Sequence, residues 1–569
     1  MRKSVLSGLV AGALTVGMGC AAASANAEEA VQSYTLDDIV VTASRSETAI
    51  SDVPADVTLI SEEQIERGNY KSVSDALKGA NINVVQKGFA AYPVINGDSR
   101  VLVMVDGKKV NWDHLVVSGD TNAVDVDQIA IGDVERIEIV RGPNSSLYGE
   151  RAVSGVINII TKRPTAGKPT GSFNMQLGSW GEKRAGVNIS GGDGKNSIKV
   201  GVAHERRKDF QYKNAYGEKR TFENSDINRT DYNVGFDRIL GSDRLRLEFS
   251  RHEGDDGYGV SLKNPRTGAS SYQGRKNIVD TGYGITYMFG SEKEGEGTFL
   301  RFYHNEAKSD GGFNSQYDHH LRRNAFEGQK LWMLGNKNML IGGFLWSQEK
   351  IHEMSGYIPM DASAITKALF LEDDWQLGRG YSLKLGSRLE HHNDFGTDVT
   401  SHISLNKKLN RGTHAYISFG QAVNNPSLKM RYADSPYWVG REDLKQERSH
   451  TFTIGADSQI TRKWSVSGSL YWSKVKDALR WVNGYTDPMT LVYVRGYYKN
   501  VQTEDRRGLE LSTRYRADDR WTVRAAYSFA HIDSTDPEKG FLSSNTRPNG
   551  YNLGISYTQG KWDADLDLN

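Results

Sequence analysis

From about Gly171 to the end, the chain repeats one unit: an alternating apolar/polar run of about ten residues, then a connection. Trp464, Val466, Gly468, Leu470 and Trp472 share one face of such a run, and Ser465, Ser467, Ser469 and Ser473 the other. Trp521, Val523, Ala525, Tyr527 and Phe529 alternate with Thr522, Arg524, Ala526 and Ser528. Tyr551, Leu553, Ile555 and Tyr557 alternate with Asn552, Gly554, Ser556 and Thr558. A period of two predicts strands with one apolar and one polar face. Aromatic residues recur near the run ends, where a membrane barrel carries its interfacial girdles.

The connections are sorted by length. Gly191–Asn196, Gly241–Ser242, Gly290–Glu296, Gly335–Lys337, Gly378–Gly380, Asn410–Gly412, Thr461–Lys463, Asp518–Asp519 and Gly560–Lys561 read as short turns. Between them fall long connections: Lys208–Asn228, Gly254–Ile278, Asp310–Leu321, Asn424–Ser449, Lys476–Lys499 and Ser534–Gly550. Strict alternation puts every short turn at one end of an up-and-down sheet. That predicts a mainly β chain built on a large transmembrane antiparallel β-barrel. A soluble barrel gives no reason to sort its loops by length.

Composition changes the picture little. Apolar residues make up 38%, and the mean hydropathy of −0.56 is too low for a helical membrane protein. A barrel tolerates this because half of each strand faces the lumen. The formal net charge of +1 implies no nucleic-acid partner. At the start, Arg2 and Lys3 precede an apolar stretch, Val5–Met18, and then Ala25-Asn26-Ala27, which reads as a secretory signal over 1–27. A lipoprotein signal ending at Cys20 is the weaker reading, because Gly17 stands where a large aliphatic residue is usual. Cys20 is the single cysteine, so a mature chain starting at Glu28 would have no disulfide or thiolate chemistry.

Residues 28–50 read as a polar, flexible arm with one extended patch, Ile39-Val40-Val41. Residues 51–164 read as a small α+β domain, and 165–569 as the barrel. In the small domain Val57–Ile60 is a strand. Ser61 caps a helix through Arg67, with Gln64 completing the capping box, and a second helix spans Ser72–Leu77. Val84–Gln86, Val101–Val105, Arg136–Val140 and Gly155–Thr161 are further short strands.

Over almost the whole mature chain, these residues resemble the TonB-dependent outer-membrane receptors. Asp38-Ile39-Val40-Val41-Thr42-Ala43 resembles the TonB box. Arg100 to Gly107 (RVLVMVDG) resembles a strand and turn of the plug domain. Val134 to Pro143 (VERIEIVRGP), Leu147-Tyr148-Gly149 and Gly155 to Lys162 (GVINIITK) carry the most specific plug signature. Ala368–Asp373 and Asn500–Glu510 resemble barrel strands of the family. The resemblance implies an α+β plug inside a barrel, in the bacterial outer membrane and in contact with its lipid. It further implies a monomeric receptor that imports a scarce ligand. TonB would add to the arm at residues 38–43 as an extra strand and supply the energy.

Two departures stand out. Asn96 occupies the position where the family usually carries an arginine before the RVLVMVDG strand. The pattern also gives eighteen strands and the start of a nineteenth at Trp562–Asn569, against about 22 in receptor barrels. The expectation is a chain incomplete at its C-terminus, with a gap beside the first strand.

The ligand is the least legible feature. Tyr92, Trp112 and His114 are expected near the plug apex, and Tyr317, His319, His320, Arg322, Arg323, Tyr432 and Trp438 in the long loops. Arginine with tyrosine suits an anionic aromatic metal chelate, and a ferric siderophore is the first reading. Heme and cobalamin are the alternatives. His319-His320 and His391-His392 would serve iron ligation, but heme receptors of the family usually carry a histidine in the loop matching Asn424–Ser449, and none stands there. No resident cofactor or protein-held metal is implied, since iron would be cargo. An outer-membrane enzyme lacks a recognisable catalytic motif. A signalling transducer would need a further domain before the box.

Overall fold

The computed structural model describes residues 39–43, 45–46, 48–87, 90–112, 124–260, 273–290, 297–313, 317–353, 360–410, 412–436, 438–534, 549–560 and 562–568. They belong to one compact unit, Leu36–Asn569. Its main feature is a 19-stranded sheet in which every strand pairs antiparallel with its neighbours in chain order, from Gly167–Leu177 to Trp562–Leu568. Among the described residues no ladder joins the first strand to the last.

The expected two-faced pattern holds. Trp464, Leu470, Trp472, Trp521 and Leu553 are exposed on the outer face, while Ser469, Tyr471 and Asn552 are buried inside. The inner wall is heavily charged, and its charges are buried because they are paired. Arg246 is 2% exposed and grips Asp237 through Nε and Nη2, both at 2.7 Å.

The long connections are shorter than the sequence pattern implies, because the strands run on beyond the bilayer. Crossing takes about 9–11 residues, yet Tyr497–Arg516 has 20 and Asp243–Val260 has 18. The expected loop Asp310–Leu321 is mostly strand: Thr298–Phe313 and Tyr317–Met333 pair up to Gly311↔Tyr317. Among the described residues three connections contain structure of their own, one of them the pairing of Tyr485–Thr486 with Tyr493–Val494. Gln211–Lys213 pairs with Lys219–Thr221, and the chain after Asn424 folds into a helix at Leu428–Tyr432.

The small domain forms a five-stranded sheet. Its order is Val57–Ser61, Val134–Arg141, Gly155–Thr161, Val101–Val105, Lys108–Lys109, with only the Gly155/Val101 pair parallel. Ile137, Ile139, Ile157, Ile159 and Val103 pack on Val73, Ala76 and Leu77 of the helix Val73–Gly79. The capping box forms as expected: Gln64 N–H donates to Ser61 Oγ at 3.3 Å, and Ser61 N–H to Gln64 Oε1 at 3.0 Å.

Asn96 has a local reason. Asn96 and Gly97 have φ of 55° and 70°, and Ile95 and Asp98 exchange backbone bonds of 3.0 and 2.9 Å. An Asn-Gly pair with both φ positive is the preferred two-residue hairpin turn.

Candidate functional site

Two regions bear on function: the arm at the short-turn end of the lumen, and the face at the long-connection end.

The arm is not the exposed patch that the sequence suggests. Ile39–Val40 pairs with Thr48–Ala49, and Val40 and Thr42 are fully buried. The cause is Glu138, also fully buried, on the plug strand Val134–Arg141. Its Oε2 accepts Val41 N–H at 2.9 Å, Thr42 N–H at 2.8 Å and the Thr42 hydroxyl at 2.6 Å. Arg136 donates to its Oε1 at 2.8 Å. Tyr148 donates its hydroxyl to the Thr42 carbonyl at 2.8 Å. Arg45 then lies over the rings of Tyr148 and Phe370, at 4.6 and 4.5 Å. Gln329 on the barrel wall donates to the Arg45 carbonyl at 3.0 Å. Burying a two-residue strand leaves backbone groups that need partners, and here a side-chain carboxylate supplies them. Asp38 lies outside the described residues; Ala43 is buried.

Several of the residues expected to contact ligand are buried among protein partners. Tyr92 is 1% exposed within the plug, its strand Ala90–Val94 paired with Asn83–Lys87. Trp112 is buried beneath Arg323, whose guanidinium lies 4.5 Å from the ring centre. Arg323 is 1% exposed and donates to the carbonyls of Lys109 (2.7 Å) and Asn111 (2.5 Å) and to Glu349 (2.7 Å). It ties plug to wall. His319 is buried with Nδ1 3.0 Å from Glu353, which Lys429 also approaches at 3.3 Å. Trp438 is buried with Trp481 and Tyr498 among loop residues.

Arg322 remains open, with a side chain 53% exposed beside Glu306, whose Oε1 also meets His320 Nε2 at 2.5 Å. Tyr432 is half-buried under the Arg431 guanidinium, 4.7 Å from its ring centre. Arg441 lies 5.3 Å from the Tyr497 ring centre. His114 lies outside the described residues. So does the Tyr317 side chain, although Tyr317 itself opens a strand.

Plug and wall are joined by buried ion pairs. Arg100 meets Asp98 at 2.8 Å and Glu447 at 2.5 Å, and Arg506 also pairs with Asp98. Burial alone would raise the Asp98 carboxyl, but Arg100 and Arg506 outweigh it and hold it well below the usual range. Within the plug, Arg141 pairs with Asp56 at 2.8 Å, and Glu150 with Lys109 at 2.6 Å. Lys109 and Arg151 likewise hold Glu150 low against its burial.

One arrangement has the outline of a catalytic triad: Ser146 Oγ lies 2.7 Å from His402 Nδ1, and His402 Nε2 3.7 Å from Glu372. The geometry does not support catalysis. Ser146 is 2% exposed, so no substrate carbonyl reaches it, and 3.7 Å is not a hydrogen bond.

This plug-in-barrel architecture identifies the class. The chain belongs to the TonB-dependent receptor family. The family description "TonB dependent receptor-like, beta-barrel" matches residues 172–569, and "TonB-dependent Receptor Plug Domain" matches 49–156. The barrel is accordingly an outer-membrane barrel, with its short turns periplasmic and its long connections extracellular. The chain is 26% identical over 474 residues to the vitamin B12 transporter BtuB of Vibrio vulnificus, covering 79% of this chain and 72% of that protein. It is 26% identical over 403 residues to an iron-regulated outer membrane virulence protein of Vibrio cholerae, covering 67% and 58% respectively. In fold it resembles the siderophore receptor PirA of Acinetobacter baumannii, with a TM-score of 0.73, 16% identity, and 90% and 85% of the two chains covered.

Proposed function

We propose that this receptor imports an anionic metal chelate, a ferric siderophore in the first place, with TonB engaging residues 38–43 from the periplasm. The observation that carries the ligand class is the pairing of a guanidinium group with an aromatic ring in the extracellular segments, that of the exposed Arg441 with Tyr497. Such a pair offers charge and a flat apolar surface together, as an aromatic anionic chelate requires. The heme alternative needs an imidazole free to reach iron. His319 is buried against Glu353, and His320 Nε2 is held by Glu306, which weighs against it. The relationship to a vitamin B12 transporter keeps cobalamin as the second reading.

The mechanism follows from the arm. Ligand captured outside shifts the plug, the Glu138 contacts open, and the freed Ile39–Val40 edge becomes available for strand addition by TonB. The chain carries no nucleotide-binding loop, so the energy comes from that partner. The test is growth of a receptor-deletion strain, complemented with this gene, on single sources of ferric siderophore, heme or cobalamin. Rescue on ferric siderophores is expected. Rescue on cobalamin or heme alone would refute the siderophore reading.

A further inference from the structure

A cavity of about 70 Å³ lies between plug and wall, lined at different points by Arg45, Arg388 and Arg431. Each of these guanidinium groups has an N–H without a partner: Nε of Arg45, Nη2 of Arg388 and Nε of Arg431. Arg388 is 1% exposed and Arg431 is 6% exposed, so bulk water does not serve them freely. All three are fixed by their other contacts. Arg388 Nε donates to Glu390 at 2.7 Å, and Arg431 Nη1 to Asp394 at 2.5 Å. Arg45 is held over its two rings, 3.9 Å from Glu327. A desolvated donor left unpaired is costly, and more so when charged. Gly149 lets the wall come this close: its φ is +82°, and a Cβ there would lie 2.6 Å from Glu390 Oε2 and 2.9 Å from Arg388 Nη2.

The local charge balance differs from the rest of the plug. Arg100 and Arg141 sit above their ordinary range, because carboxylates around them outweigh burial. At this cavity the sign reverses. Burial lowers Arg45, with Arg388 and Arg301 adding repulsion that Glu327 does not cancel. Burial lowers Lys109 in the same way, with Arg151 and Arg323 adding to it despite Glu150. The lining carries the cationic side chains of Arg45, Lys109, Arg151, Arg388 and Arg431 against the carboxylates of Glu150, Glu327, Glu349 and Glu390, which leaves one positive charge in excess.

We propose that this cavity is a lumenal site for one oxyanion of carboxylate or phosphate type, bound by the open N–H groups of Arg45, Arg388 and Arg431. Guanidinium is the side chain best suited to such groups, since it donates in a fixed fork. Glu349 also lines the cavity with an unpaired Oε1, so an anion carrying an O–H, such as hydrogen phosphate, matches the lining better than a bare carboxylate. The anion has two sources: an acidic group on cargo in transit, or free anion entering from solution. The first source rests on the import reading above; the site itself does not.

The probes are inorganic phosphate and arsenate, with the full receptor in detergent. Equilibrium dialysis against labelled phosphate at low salt is expected to show one saturable site. Arg388→Gln with Arg431→Gln should weaken it at least tenfold, and Arg388→Lys less, since charge is kept and the fork lost. Arg220→Gln, on an exposed hairpin with Glu218, should leave it unchanged. If the double variant fails to fold, Arg431→Gln alone carries the test, because that residue sits on the loop helix. Arsenate-soaked crystals should show anomalous density beside Arg388. No saturable phosphate, or binding indifferent to these variants, would overturn the proposal. Cargo as the source predicts that the double variant binds chelate at the surface but loses uptake. Normal uptake assigns the site to free anion. Phosphate binding in a receptor that imports no metal chelate would sink the import reading and leave the site intact.

Discussion

Replacing Glu138 with alanine should release the arm without unfolding the plug. Three donors converge on one carboxylate oxygen: Val41 N–H at 2.9 Å, Thr42 N–H at 2.8 Å and the Thr42 hydroxyl at 2.6 Å. A hydrogen bond to a charged group contributes about 1.5–3 kcal/mol. Neighbouring bonds are not additive, and the Tyr148 bond to the Thr42 carbonyl persists. The closed arm should therefore lose roughly 3–5 kcal/mol. At about 1.4 kcal/mol per factor of ten, the open population rises roughly 10²–10³-fold. Amide hydrogen exchange reads this directly: Val41 and Thr42 should exchange faster by that factor. Ile137 and Ile139, on the same strand as Glu138, should stay protected. Glu138→Gln keeps an acceptor but loses the charge, and should give about a tenfold change, from about 1–2 kcal/mol. Exchange at Val41 and Thr42 within threefold of the wild type would refute the reasoning. An equal rise at Ile137 and Ile139 would also refute it, because the plug rather than the arm would have opened.

Four further outcomes are expected. Val40→Pro removes a strand donor from the segment offered to TonB; surface binding of ligand should persist while uptake is lost, and normal uptake would rule out this segment as the coupling site. Arg323→Ala strips the buried Glu349 of its partner and should destabilise the plug–wall contact by about 3–5 kcal/mol, read as faster exchange at Lys109 and Asn111. Arg322→Ala, half-exposed, should cost under about 1 kcal/mol and instead weaken capture of an anionic chelate, more at low salt than at high. Asp98 and Glu150 both ionise below their usual range in the folded plug. Their contribution is complete above the unfolded carboxylate range of about 4 and is lost as pH falls below it. Plug resistance to urea should hold from about pH 7 to 5 and fall below about 4; a decline confined to about pH 7 to 5 would contradict these ion pairs.

Sequence alone determined the barrel, because strand faces are a local property: alternation at Trp464–Trp472 states which side chains meet lipid whatever the neighbouring strands do. It determined the Ser61 capping box and the plug strands for the same reason, each set by residues within a few positions of one another. It also marked residues 38–43 as strand-like. Only the tertiary structure decided that this segment is buried, because its partner Glu138 lies 96 residues from Thr42 and reads in sequence as a polar position on a half-buried strand. Arg322 and Arg323 show the limit most plainly. They are adjacent in sequence and identical in chemistry, and strand alternation sends one outward and the other into the lumen. There Trp112, Glu349 and two plug carbonyls make Arg323 part of the wall. Alternation separates the two faces, but what waits on each face is set by the curving of the sheet around the plug. That arrangement depends on pairings hundreds of residues apart, such as Arg100 with Glu447.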